Sequence, residues 1–164
     1  MALRISVKGS DALKDMIWSL NQADREVQKQ IRVQTKANLT RPWKAEIDRR
    51  AGTKLERRVI SDTATVVVSN QNIRIQSAAK GRKLKGGLSP KVDYAPIEFG
   101  AGHKKVTYTR KGHRVTRNTT AQFKPRNRKG YVFYPAAREM IPRLASLWVQ
   151  TVVKTFADVF EGRR

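Results

Sequence analysis

KVDYAPIEFGAGHKK, from Lys91 to Lys105, decides how the rest of the chain is read. Tyr94, Ile97 and Phe99 are apolar anchors, and Asp93 to Gly100 reads as a short turn or a single helical turn pinned to a core. Gly100 and Gly102 mark a change of direction. Beyond them the character changes: residues 101–129 hold ten Lys or Arg and no Asp or Glu. The stretch is therefore the root of a charged arm. If Phe99 is fully buried there, Phe99→Ala costs roughly 3–5 kcal/mol.

Within the arm, KKVTYTRKGHRVTR (104–117) reads as a hairpin with RKGH at its tip. Val106, Tyr108 and Val115 are too few to form a core, so the arm projects or orders on assembly. Between Lys80 and Gly130 there are fifteen basic residues against Asp93 and Glu98, about +13 of the chain's +22. A chain with 35 Lys and Arg and 13 Asp and Glu seeks polyanions: nucleic acid, an acidic protein or an anionic membrane. Candidate contacts with a neighbouring subunit, an acidic partner or DNA are Lys104, Lys105, Arg110, Lys111, Arg114, Arg117, Lys124, Arg126, Arg128 and Lys129. Tyr108, Phe123 and Tyr131 are interleaved and suit stacking on unpaired bases. The plainer reading is a solvated basic loop. No helix-turn-helix, zinc-finger or RNA-recognition signature is present.

Working outward, Leu3, Ile5 and Val7 alternate as a half-buried strand, and Ser10 or Asp11 offers an N-cap. Leu13, Ile17, Leu20, Val27 and Ile31 then predict one helix over about 11–39. Pro42 ends or kinks it, and Trp43 and Ile47 predict a second helical piece to about Ala51. TATVVVS (63–69) and IRIQS (73–77) form a hairpin across an NQN turn, and a Gly- and Lys-rich loop follows. GYVFYP (130–135) reads as a strand. The last helix repeats Ile141, Leu144, Trp148, Val152, Phe156 and Val159, with Pro135 in its first turn and a kink or restart at Pro142.

The whole is one domain over 1–164 with 101–129 as an extended arm. Its expected class is α+β: a small antiparallel sheet packed on a long N-terminal helix and a C-terminal helix. Hydrophobic content of 39% supports a real core. There is no cysteine, so no disulfide framework or thiolate metal site, which suits a reducing cytoplasm or simply a protein that needs no bridges. The first residues lack a signal-peptide core, and no run is long enough to span a bilayer. The protein is expected to be soluble.

Chemistry is sparse. GAGHKK (100–105) lacks the spacing of a phosphate-binding P-loop. His103 and His113 have no acidic residue between them to complete a metal site. Asp93 and Glu98 followed by lysines only distantly suggest a metal-dependent nuclease, since Gly100 stands two after Glu98. Glu98 is expected to pair with a basic neighbour or face another subunit. Trp18, Trp43 and Trp148 are expected in a core or an interface. No catalytic residue, cofactor or metal is expected.

The order of parts resembles the neck and tail-completion proteins of long-tailed bacteriophages, a family of head–tail joining and minor tail proteins. ISVKGSDAL is similar to the family's opening, a short strand that ends in Gly and leads into a long amphipathic helix. ANLTRPW resembles the proline near that helix's end. Tyr94-Ala95, then Glu98-Phe99-Gly100, resembles the family's most specific motif. YVFYPAAREMIPRL, through Tyr134, Pro135, Ala136 and Ala137, resembles its final strand and Pro-Ala helix start. AGTKLERR is a loose echo of the usual Thr-Gly-x-Leu, and the 100–131 loop is longer and more basic than the common pattern. The resemblance implies an α+β subunit of a ring, most often of six copies, without catalysis. It implies partners among portal-side connector or head-closure proteins and tail terminator or tail tube proteins, with packaged DNA nearby and no membrane. The place implied is the virion neck, after synthesis in the host cytoplasm. A stand-alone nonspecific nucleic-acid-binding protein is the alternative.

Overall fold

Three strands and a pair of long antiparallel helices carry the body. A computed structural model describes residues 3–7, 11–79, 81–85, 87–120 and 122–162. The Ser10 cap, the Gly9 of the opening motif and basic Lys80 lie outside the described residues. Strand β1 is Leu3–Val7, where the alternation places it. Later in the chain, β2 (Thr65–Val68) and β3 (Ile73–Ser77) form the expected hairpin. The sheet is antiparallel in the order β1-β3-β2, so β3 is central and Ile75 stands opposite both Ile5 and Val66. Ile73, Ile75 and Ser77 alternate onto its buried face.

The predicted 11–39 helix is two helices, α1 (Asp11–Gln22) and α2 (Arg25–Arg50). The break at Ala23-Asp24 is built by side chains. Gln28 Nε2 donates to Ala23 O at 2.9 Å and to Asn21 O at 3.3 Å, taking carbonyls that α1 leaves open. Its Oε1 accepts from Asn70 Nδ2 at 2.7 Å, which ties the β2–β3 turn to the same joint. Pro42 neither ends α2 nor starts a new piece; α2 runs through it. The reason is the stripe Ile31, Thr35, Leu39, Trp43 and Ile47, buried at an unbroken spacing of four. Each large apolar side chain contributes ~1.5–3 kcal/mol on burial. The carbonyl that Pro42 frees belongs to exposed Asn38.

After α2 comes α3 (Lys54–Glu56), capped by a reciprocal Thr53–Glu56 box, and it widens into a π-type turn over Arg57–Ser61. Helix α4 (Pro90–Phe99) has ten residues, longer than the single turn predicted. Pro90 sits at its start, and the carbonyl freed by Pro96 belongs to exposed Val92. Among the described residues, strands β4 (Lys105–Arg110) and β5 (His113–Asn118) pair only with each other. Lys111 and Gly112 between them both have positive φ, 50° and 80°, as a two-residue hairpin turn requires. The predicted strand at 130–135 is absent. Helix α5 (Phe133–Phe160) begins inside it, because Val132 and Phe133 bury as a helix start against Trp43. Pro135 lies in the first turn as expected, and α5 continues through Pro142.

The chain is thus α+β. Helices α2 and α5 pack together, with the sheet across them, β2 on α2 and β1 and β3 on α5. Trp43 and Phe133 meet edge-to-face at 5.5 Å in the core. Thr155 donates to Gln34 Oε1 at 3.1 Å and Asn38 to Thr151 at 3.4 Å. At the other end, Arg50 pairs with Glu139. Burial works to raise the Glu46 carboxyl, but Arg49 and Arg50 outweigh it and hold the carboxyl below its ordinary value. Trp43 and Trp148 are buried, whereas Trp18 is 66% exposed.

Candidate functional site

The arm leaves the body after α4 and returns just before α5, and one carboxylate holds the two places together. Glu98, fully buried, lies at the end of α4. Its Oε2 accepts from the amides of Phe133 at 2.9 Å and Val132 at 3.2 Å, and its Oε1 from Tyr134 at 3.0 Å. These are the open donors at the N-terminus of α5, where the helix dipole favours negative charge. The expected basic partner or subunit contact is therefore corrected: Glu98 caps a helix of its own chain. Burial pushes its carboxyl above the ordinary value, opposed by the amides of Phe133, Tyr134 and Val132. Asp93 is occupied in a similar way, accepting from Ser89 N at 2.7 Å at the start of α4.

Backbone bonds lock the crossing. Tyr131 N donates to Glu98 O at 2.9 Å, Asn127 N to Phe99 O at 2.8 Å and Ala101 N to Lys124 O at 3.0 Å. Tyr131 Oη donates to Pro125 O at 2.7 Å. Gly100, with φ 72° and ψ 174°, lets the two segments touch: a Cβ there would lie 2.0 Å from Pro125 O. Gly130 does the same for Glu98, whose Oε1 would meet a Cβ at 2.3 Å.

The motif residues divide. Ile97 is buried and Tyr94 packs half-buried against the core, but Ala95 is exposed. Pro135 is half-buried in the first turn of α5. Phe99 is only half-buried, stacked obliquely on Tyr134 at 5.3 Å. Phe99→Ala should therefore cost about 2 kcal/mol in urea unfolding, less than full burial implies. An unchanged midpoint would mean the ring holds nothing in the folded chain.

Of the ten arm cations, Lys124 belongs to the root. Its Nζ pairs with Glu56 Oε1 at 2.6 Å and lies 4.9 Å from the Tyr131 ring centroid. Glu56 is buried, and its other oxygen accepts from Thr53 N at 2.9 Å. Lys104, Lys105, Arg110, Lys111, Arg114, Arg117, Arg126, Arg128 and Lys129 are exposed. In β4 every residue is exposed, and in β5 only Val115 is half-buried. The hairpin buries almost nothing on its own body. Arg117 stands 5.7 Å over the Tyr108 ring.

Sequence reasoning missed Glu56, Asn127 and Gly130 as parts of the root. For Glu56 a signal existed: Thr53-x-x-Glu56 is a capping-box pattern. Among the described residues no group of three or more His, Cys, Asp or Glu could hold a metal ion, and no helix is long and apolar enough to cross a membrane. Comparison with models of known protein families, with curated proteins and with solved structures returns no match in any of the three.

Proposed function

We propose that the chain is a structural subunit of the head–tail joint of a long-tailed bacteriophage, a tail-completion or neck protein. It closes into a ring, most often of six copies, around the DNA channel and performs no catalysis. It is made in the host cytoplasm and built into the virion. There it joins portal-side connector or head-closure proteins to tail terminator or tail tube proteins. The observation that carries this reading is the arm: a hairpin with a locked root and no body of its own to pack on. A lone two-stranded hairpin is marginal in water, so a partner suits it. The resemblance in the order of parts, with the Tyr94-Ala95 and Glu98-Phe99-Gly100 motif at the root, supports the choice of partner. Six copies carry about +132, which acidic neck proteins or DNA phosphates offset. Cryo-electron microscopy of intact particles tests it. A ring at the joint, with 101–129 ordered against neighbours or DNA, is expected. Absence of the chain from the particle sinks the reading.

A second reading, a stand-alone nonspecific nucleic-acid binder, is favoured by the nine exposed arm cations and by Tyr108. If six or more of them reach phosphates, duplex affinity falls about a thousandfold or more from roughly 50 to 200 mM salt. A titration that is flat over that range removes this reading.

A further inference from the structure

The molecule has two unlike ends. Helix α5 has 28 residues, so it is ~42 Å long. Its N-terminus sits on Glu98 at the arm root. Its C-terminal half runs antiparallel to α2 from the middle of that helix towards its start, since Thr151 meets Asn38 and Thr155 meets Gln34. Helix α1 packs on α5 and leads directly into α2, so it belongs to that far end. The six-residue strands of the hairpin reach only ~20 Å from the root. The arm therefore does not reach its own α1.

Each end carries an exposed apolar centre flanked by charge, with opposite signs. On one face of the hairpin the cross-strand pairs are Val106–Arg117, Tyr108–Val115 and Arg110–His113. That face is two valines and a tyrosine between two guanidinium groups. The other face is hydroxyl-rich and partly closed on itself, with Thr107 Oγ1 and Thr116 Oγ1 2.9 Å apart. On the exposed side of α1, Asp11, Asp15 and Trp18 recur at i, i+4 and i+7, one stripe of two carboxylates and an indole. Lys14 pairs with Asp11, an exposed contact of little strength. Asp24 and Glu26 follow at the start of α2, so residues 11–26 carry a net −2 in a chain of +22. Of the nine large hydrophobic residues exposed among the described residues, six lie on α1, the first half of α2 or the second half of α5. Of those six, Trp18 and Phe160, 66% and 87% exposed, are aromatic. Patches of this kind mark contact surfaces, and Trp, Tyr and Arg are the usual anchors.

We propose that the hairpin of one copy docks through its Val106–Tyr108–Val115 face onto the Asp11–Asp15–Trp18 face of α1 in the next copy. Arg110 and Arg117 meet the carboxylates, and Trp18 packs between the valines and Tyr108. The two surfaces differ, so the contact is head-to-tail, and it closes into a ring where the rotation per copy allows. The inference rests on the assembly reading and supplies its contact between subunits.

Paired charge reversal on the full chain, freed of nucleic acid by nuclease and salt, tests it by sedimentation velocity. One variant is Arg110→Glu with Arg117→Glu, the other Asp11→Arg with Asp15→Arg. Each alone places like charges face to face and should weaken self-association at least about tenfold. An equal mixture should restore it, because each arm then meets an α1 of opposite charge. Trp18→Ala should weaken association with no change of charge. All of these side chains are exposed, so circular dichroism should be unchanged in every variant. The docking is overturned if the α1 variant associates like the wild type, if the mixture stays apart, or if the wild type is monomeric at its highest soluble concentration. It is also overturned if the arm variant loses only DNA binding, which would make the hairpin a nucleic-acid surface. A ring in particle images with its arms elsewhere removes this docking and leaves the assembly reading standing. A chain missing from the particle removes the assembly reading, whatever sedimentation shows.

Discussion

Glu98→Ala should destabilise the fold by roughly 3–5 kcal/mol, lowering the melting temperature by on the order of 10 °C. The substitution strands three amides at once, those of Val132, Phe133 and Tyr134, and Val132 and Phe133 are fully buried. It also removes the negative charge from the dipole of a 28-residue helix. Glu98→Gln should fall between: one oxygen still accepts, but its NH2 group faces an amide donor. Urea unfolding of the three proteins gives the order. Equal midpoints would show that the α5 amides find other partners.

The same pair reports the charge state. Burial leads among the influences on Glu98 and sets its folded carboxyl above the ordinary value. The folded chain then holds the proton more readily than the unfolded chain. The residue's contribution is full below the unfolded pKa and falls as pH rises through the folded one. Glu46 runs the other way, held low by Arg49 and Arg50 against its own burial, so its contribution is lost as pH falls. The wild-type profile mixes the two. The difference between wild type and Glu98→Gln isolates Glu98, and it should shrink with rising pH. A difference that grows would mean that the amides outweigh burial.

Gly100→Ala is expected to cost roughly 3 kcal/mol or more and to open the arm root. A side chain at φ 72° and ψ 174° is strained before it meets anything. Its Cβ would then lie 2.0 Å from Pro125 O and 2.5 Å from Lys124 O, backbone atoms that cannot swing aside. The bonds from Ala101 to Lys124 and from Asn127 to Phe99 should break. Limited proteolysis should then cut within 101–129 much faster than in the wild type. Gly112→Ala is the control. Its φ is also positive, but nothing lies within 4 Å, so it should cost only about 1 kcal/mol and leave the root closed. Equal cleavage of the two variants would show that the root does not govern the arm.

Periodic segments were legible. The alternation in β3 and the spacing of four in Leu144, Trp148 and Val152 report burial on one side, which repeats along an element. What stayed hidden depends on partners far away in sequence. Pro42 reads as an end or a kink, yet α2 continues through it because packing outweighs one lost bond whose carbonyl belongs to exposed Asn38. The joint at Ala23-Asp24 is set by Gln28 and by Asn70, far along the chain. Val132 and Phe133 look like strand residues, and burial against Trp43 together with the Glu98 cap, thirty-four positions before Val132, makes them a helix start. The root itself was half legible. Its apolar anchors are readable and Glu98 stands in the motif at its base, but nothing in the sequence shows that Glu98 caps α5 or that Lys124 pairs with buried Glu56.

The crossing at Gly100 also makes the hairpin separable in length from everything beneath it. The segment leaves and returns within one hydrogen bond, and Thr119 N to Lys104 O at 2.9 Å closes the first rung. Residues can be added or removed above that rung in facing pairs, keeping the alternation of its two faces, without moving α4 or α5. Two residues per strand change the span by ~7 Å. The chain thus holds a ruler whose zero mark is fixed in its core, and whose far mark drift in sequence can reset one rung pair at a time.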